Sequence, residues 1–282
     1  MIITAPAKIN LFLQITGQRE DGYHLLESIF AFTEFGDEIT IEDADVFSVT
    51  MTGPYAASLS HEPIEKNLIY CAAQLLKKTY GVKKNVMIHV SKNIPIGAGL
   101  GGGSSDAASV LKALNAQWRL NLNDKILAEI GCTLGADVPA CIYQKTAFVS
   151  GVGEKIKLID ISLPKFVLLV NPNQVLSTQT VFQQYQEIKK SYTPALPFDI
   201  QNINDLKKTK NDLTDAAIFL MPGIKNILDC LSMQPGCVLA RMSGSGPTCF
   251  ALFDDEDAVR RAEACVRNQL KGYWIKRSLY LK

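Results

Sequence analysis

Five glycines fall within residues 97–103, and Ser104 and Ser105 follow them directly. A strand pattern at 86–90 precedes this run, and a helical pattern with Ala107, Leu111, Leu114 and Trp118 on one stripe begins near Ser104. Glycine lacks a Cβ and takes φ > 0 at no steric cost, so successive N–H groups can curl toward a single anion. The helix start adds unpaired N–H groups and the positive end of its dipole. Such a bend suits a polyphosphate. The alternative is a flexible Gly-Ser linker, against which stand the close regular elements on either side and Leu100 inside the run.

Better-known glycine motifs fit less well. Gly97, Gly99 and Gly102 satisfy G-x-G-x-x-G, but a dinucleotide fingerprint needs its first glycine directly off the strand, and residues 91–96 intervene. Asp124, the downstream acidic residue, falls at a helix start instead of a strand end. A Walker A loop closes on Gly-Lys-[Ser/Thr], and here Gly103 precedes Ser104. No HRD or DFG set occurs, which excludes a protein kinase.

Elsewhere in the first half, Ile9, Leu11, Leu13 and Ile15 alternate with Lys8, Asn10, Phe12 and Gln14. This predicts a strand with Lys8 and Asn10 on the face opposite the aliphatics. A lysine on a strand of this kind is costly to bury unpaired, so it needs either an acidic partner or an edge position that reaches solvent. Residues 18–22 read as a polar turn and 37–41 as a strand. Asn67 is placed to cap a helix with Leu68, Ala72, Leu75 and Thr79 along one side. Residues 124–132 predict another helix, and 134–139 a tight transition in which Asp137 is either a helix cap or a functional carboxylate.

The second half predicts a strand at 166–170 and helices near 178–190, 212–220 and 223–232. Strands at 238–242 and 248–253 follow, joined by Ser243-Gly-Ser-Gly-Pro247, a glycine turn that is either a plain hairpin or part of a site. Asp254 is expected to cap a helix with Ala258, Ala262, Val266 and Leu270 inward, before a last strand at 274–281. Helices and strands without strict alternation give an α+β class, with a domain boundary expected near residue 155.

Charge and composition narrow the possible partners. Lys+Arg at 29 against Asp+Glu at 28 leave +1, too little field to hold a nucleic acid or an anionic membrane. Of 282 residues 47% are hydrophobic and 20% charged, which predicts a folded chain. The seven cysteines form no CxxC and no Cys/His metal pattern, and their odd number suits buried free thiols in a reducing compartment. The first residues lack a basic stretch followed by a long apolar one, and no run reaches membrane-spanning length, so a cytoplasmic protein is expected.

Three blocks carry a family resemblance. Pro6-Ala-Lys8-Ile-Asn10-Leu, the loop Pro95-x-Gly-x-Gly-Leu-Gly-Gly-Gly-Ser-Ser105 and Met242-Ser-Gly-Ser-Gly-Pro-Thr248 occur in this order across nearly the whole chain. Together they resemble the motif blocks of the GHMP kinases, which include galactokinase, homoserine kinase and the mevalonate kinases. Ala7-Lys-Ile-Asn-Leu-Phe-Leu13, Asp21-Gly-Tyr-His24 and Leu134-Gly-Ala-Asp-Val-Pro139 are similar to the branch whose acceptor is 4-diphosphocytidyl-2-C-methyl-D-erythritol, in the non-mevalonate route to isoprenoid precursors.

The resemblance implies an α/β nucleotide-binding domain over residues 1–155, a ferredoxin-like domain over 156–282 and an active site in a cleft between them. It implies ATP and Mg²⁺ as cofactors, with metal ligands left open, and a cytidine diphosphate compound as the small-molecule partner, with no nucleic acid, no membrane and no oligomeric state specified. Lys8 and Asp137 match the catalytic pair. Pro95, Gly97, Gly99, Leu100, Gly101, Gly102, Gly103, Ser104 and Ser105, with Asn67 and Lys92, match the ATP site. The two serines could equally cap the helix. Tyr23 and Phe182 would sandwich the cytosine, His24 would read its edge, and Asn10, Thr178 and Phe30 would hold the substrate. Without the resemblance Phe30 and Phe182 would be read as core. Asp106 departs from the family pattern, where Asn or Ser is frequent; beside a phosphate site its charge must point away or face Mg²⁺.

Overall fold

The computed structural model describes residues 1–59, 63–189, 191–197 and 199–281. In chain order its elements begin β1 (Ile2–Gln18), β2 (His24–Ala44), β3 (Ser48–Thr52), α1 (Leu68–Thr79), β4 (Asn85–Ser91) and α2 (Gly102–Gln117). Next come α3 (Asp124–Cys132), α4 (Val138–Tyr143), β5 (Ala147–Gly151), β6 (Lys155–Leu158) and β7 (Phe166–Asn171). The last third holds α5 (Thr178–Ile188), α6 (Ile203–Lys207), α7 (Thr214–Leu220), α8 (Gly223–Ser232), β8 (Leu239–Met242), β9 (Cys249–Phe253), α9 (Glu256–Gln269) and β10 (Trp274–Leu279).

Two compact units share the chain. The first comprises Met1–Lys8, Glu34–Ile96 and Gly101–Gln144, and the second Ile9–Thr33, Gly97–Leu100 and Lys145–Lys282. β1 and β2 therefore each contribute to both.

In the first unit β4 pairs antiparallel with the second half of β2 and parallel with β3. A parallel pair needs a crossover, and α1 supplies it between β3 and β4. Asn67 caps α1, its side chain accepting from the Ile69 N–H at 2.9 Å. The face that α1 buries is Ile69, Ala72, Ala73 and Leu76, one position round from the expected stripe of Leu68, Ala72, Leu75 and Thr79. Aliphatics occur at both settings, so periodicity alone selects neither. α2 departs further from a single stripe, because every residue from Ser105 to Leu111 is buried.

In the second unit β10-β7-β9-β8 form a four-stranded sheet with every neighbour antiparallel. Numbered along the chain this is the order 4-1-3-2, with helices between the first and second and between the third and fourth strands. It is the expected ferredoxin-like arrangement. The first half of β2 pairs with β5, which pairs with β6. The core packs α5, α7, α8 and α9 on the sheet through Val181, Ala217, Ile227, Leu231, Val259 and Val266. α9 starts one residue later than expected: Asp255, not Asp254, accepts from the Ala258 N–H at 2.7 Å. In β1 the alternation does not separate a wet face from a dry one, since every residue from Ala5 to Ile15 is buried. All seven cysteines are free thiols. Among the described residues no helix is long and apolar enough to cross a membrane.

Candidate active site

Lys8 lies in β1 with only 4% of its surface exposed, so the edge-lysine reading fails and a partner is required. Asp137 supplies it: Lys8 Nζ and Asp137 Oδ2 are 3.0 Å apart, and the Asp137 side chain keeps 34% exposure. Asp137 occupies the residue before α4, with Pro139 in the first turn, yet its side chain makes no capping bond. Of the two readings open for Asp137, the cap is removed; the carboxylate turns to the ammonium.

The glycine loop reaches the same place. Gly101 has φ +64°, and a Cβ built there would come within 3.0 Å of Lys8 Cε and 3.8 Å of Asp137 Oδ2. Both the left-handed backbone and the close approach demand glycine. α2 begins at Gly102, earlier than expected, with Gly101 in the cap position and no side chain to cap it. The first intrahelical bond runs from the Ser105 N–H to the Gly101 carbonyl at 2.8 Å. The N–H groups of Gly102, Gly103 and Ser104 consequently have no acceptor within the helix. Ser104 and Ser105 are inside the first turn and do not cap it, and Ser105 Oγ is buried without a hydrogen-bond partner. Free amides, a helix dipole and an ammonium around a space that only glycine leaves open fit an anion of phosphate type.

Asp106 does not face that space. It is 2% exposed, and Lys92 Nζ lies 2.5 Å from its Oδ2 and against Asp37 Oδ2 as well. Lys92, expected to line the nucleotide, is corrected: its side chain is 2% exposed and its ammonium is held between two carboxylates. Burial alone would lower the Lys92 pKa, but Asp106 and Asp37 outweigh it and hold the pKa raised. Burial pushes Asp106 up to about 7, with Lys92 opposing and Asp37 adding to the rise. Sequence reasoning missed Asp37. The signal was available, since a charged residue shares the buried face of β2 with Ile39 and Ile41. Asn67 spends its side-chain oxygen on α1, and Pro95 is buried at the incoming side of the loop.

In the second unit the loop segment Gly97–Leu100 lies against the turn after β8. The Ala98 carbonyl accepts from the Thr248 N–H at 3.3 Å, and the Gly99 carbonyl accepts from Ser243 Oγ at 2.8 Å. A Cβ on Gly99 would sit 2.4 Å from the Ser243 carbonyl oxygen, so no other residue fits. The Ser243–Pro247 turn is thus more than a hairpin, because it seats half of the glycine loop. Asn10 is buried on β1, donating through Nδ2 to Ser28 Oγ at 2.9 Å while its backbone N–H donates to Ser243 Oγ at 3.0 Å. Thr178 Oγ1, at the exposed start of α5, is 2.8 Å from Ser245 Oγ.

His24 and Phe182 come together, but stacked on each other with ring centroids 5.0 Å apart. Tyr185 stands edge-on to His24 at 6.0 Å, and Gln186 Nε2 meets His24 Nε2. Burial, then the Lys189 charge, lowers the His24 pKa and favours the neutral ring. One Phe182 face is covered by His24, while Tyr23 is 66% exposed. Phe30 is 3% exposed and pairs in β2 with Ala147 of β5, so it is corrected from substrate contact to core. Tyr185, Gln186 and Lys189 were not anticipated; helical spacing from Phe182 was the available sign. Among the described residues no three His, Cys, Asp or Glu side chains are grouped to hold a metal.

Residues 67–145 match the GHMP kinases N terminal domain and residues 198–272 the GHMP kinases C terminal family. The chain belongs to the GHMP kinases. It is 38% identical over 279 residues to the 4-diphosphocytidyl-2-C-methyl-D-erythritol kinase of Parvibaculum lavamentivorans, covering 96% of this chain and 95% of that one. It is 40% identical over 277 residues to the kinase of the same name from Mesorhizobium japonicum, covering 96% and 92%. A crystal structure of 4-(cytidine 5'-diphospho)-2C-methyl-D-erythritol kinase superposes with a TM-score of 0.83 at 32% identity and full coverage of both chains.

Proposed function

We infer that this chain is an ATP-dependent kinase that phosphorylates the 2-hydroxyl of 4-diphosphocytidyl-2-C-methyl-D-erythritol, giving the 2-phosphate and ADP in the non-mevalonate isoprenoid precursor pathway. The observation that carries the mechanism is the Lys8–Asp137 pair set against Gly101. Asp137 orients the acceptor hydroxyl and takes its proton late, because phosphoryl transfer passes through a loose transition state that asks little early proton abstraction. Lys8 fixes the Asp137 carboxylate and steadies the negative charge that grows during transfer. Residues 97–105 bind the ATP phosphates through backbone N–H groups, with the start of α2 adding its dipole.

Bound Mg²⁺ would supply positive charge against part of that growing negative charge. A divalent ion that keeps several waters needs only one or two protein ligands, and Ser105, whose buried Oγ has no hydrogen-bond partner, would offer one. On the substrate side, Tyr23 and the His24–Phe182 stack receive the cytosine, and Asn10 and Thr178 hold the remainder. The lowered His24 pKa suits hydrogen-bonded reading of a neutral base edge. We assign the protein to the cytoplasm; along the chain the N-terminal GHMP region falls within 1–155 and the C-terminal one within 156–282.

ADP release measured with 4-diphosphocytidyl-2-C-methyl-D-erythritol, mevalonate, homoserine and galactose side by side tests this reading. Turnover with the first alone is expected. Preference for any of the others would overturn the substrate assignment.

A further inference from the structure

The buried charges beneath the glycine loop have no part in the chemistry above, yet they touch both of its ends. Asp37 Oδ1 accepts from the N–H groups of Asn93 at 2.5 Å and Ile94 at 2.8 Å, where the chain leaves β4 for the loop. Asp37 Oδ2 meets Lys92 Nζ, which in turn holds Asp106 in the first turns of α2, where the chain leaves the loop. The β2–β4 register, ending at Glu38 opposite Ser91, places Asp37 opposite Lys92 when carried on by one pair. Period-two alternation turns both inward. Asp37 lies in line with Ile39 and Ile41 on β2, and Lys92 continues the buried row of Val86, Ile88 and Val90 on β4.

We propose that Asp37, Lys92 and Asp106 are positioning residues that clamp the incoming and outgoing ends of the glycine loop, and so set the affinity for ATP separately from the transfer step. The proposal rests on the ATP reading of the loop. Each bond in the chain Asn93/Ile94–Asp37–Lys92–Asp106 involves a charged group buried from water, the strongest kind of side-chain hydrogen bond. One cation between two carboxylates leaves Asp106 Oδ1 buried without a hydrogen-bond partner. A purely structural role would be served by an apolar filling of the same volume; what the charges add is a fixed distance between residues 93–94 and residue 106.

The test is steady-state kinetics on Asp106→Ala and Asp106→Asn beside the wild type, with ATP binding followed by calorimetry. Asp106→Ala should raise KM and Kd for ATP roughly tenfold, since it removes a charged hydrogen bond. Its kcat and its KM for the alcohol acceptor should stay within about threefold. Asp106→Asn, whose amide oxygen can still accept from Lys92, should recover most of the ATP affinity. If Asp106→Ala does not fold, Asp106→Ser, too short to span to Lys92, carries the same expectation. A folded Asp106→Ala or Asp106→Ser with unchanged ATP affinity, or one whose kcat and both KM values worsen together, would overturn the clamp. A wild type without ATP-dependent turnover would instead overturn the functional reading, and this proposal with it.

Discussion

Asp137 and Lys8 illustrate how a buried charge exposes a site. A lysine in a strand with 4% exposure would be a large cost alone, and the 3.0 Å carboxylate offsets it. Asp137 retains one-third exposure, which leaves it free to meet a hydroxyl while Lys8 holds it from behind. Asp137→Asn keeps the shape but cannot accept the proton, so kcat should fall by ~10²–10⁴ with a smaller change in KM. Rapid-quench measurement of the transfer step checks this, and a variant with most of its kcat intact would remove the role. Alternation left Lys8 either paired or at an edge, and it was the family resemblance that joined it to Asp137. Lys92 shows the limit of the resemblance: its matched position implied a nucleotide contact, but only the fold reveals Asp37 and Asp106 on either side of its ammonium.

At the scale of elements, the glycine run was the clearest sequence signal, and its geometry explains two of the five glycines directly. Gly99 passes a carbonyl in the turn after β8, and Gly101 begins α2 in the left-handed region against the Lys8 stem. Gly101→Ala should destabilise the protein by about 1–2 kcal/mol through the left-handed backbone, visible as a lowered Tm in thermal unfolding. It should also depress turnover, because the new methyl group pushes on Lys8 Cε. An Ala variant with wild-type Tm and turnover would mean that neither the backbone nor the contact matters. The side-chain cap of α1, Asn67, was well placed by sequence, whereas α6, capped by Asn202, was missed. Element bounds slipped where two neighbouring residues could each cap, as with Asp254 and Asp255. α6 and the short β5 and β6 were not anticipated, because four or five residues carry too little periodicity to stand out.

At the scale of the whole molecule, the α+β class followed from the order of strands and helices, and the ferredoxin-like sheet from the family resemblance. The interleaving of the two units did not. The chain passes from one unit to the other after Lys8, Thr33, Ile96, Leu100 and Gln144, and β1 and β2 are each divided. A one-dimensional pattern shows that a strand is long and apolar; it does not show which neighbours it serves along its length. The glycine loop itself is divided at Leu100, so Gly97–Leu100 is seated by the Ser243–Pro247 turn and Gly101 onward by Lys8 and α2. The central claim is that bare amides at the head of α2, and no lysine-tipped loop, grip the nucleotide's phosphates. A crystal structure with a non-hydrolysable ATP analogue tests this most directly. Phosphate oxygens should lie within hydrogen-bonding distance of the N–H groups of Gly102, Gly103 and Ser104; a triphosphate bound elsewhere, with those amides facing water, would contradict it.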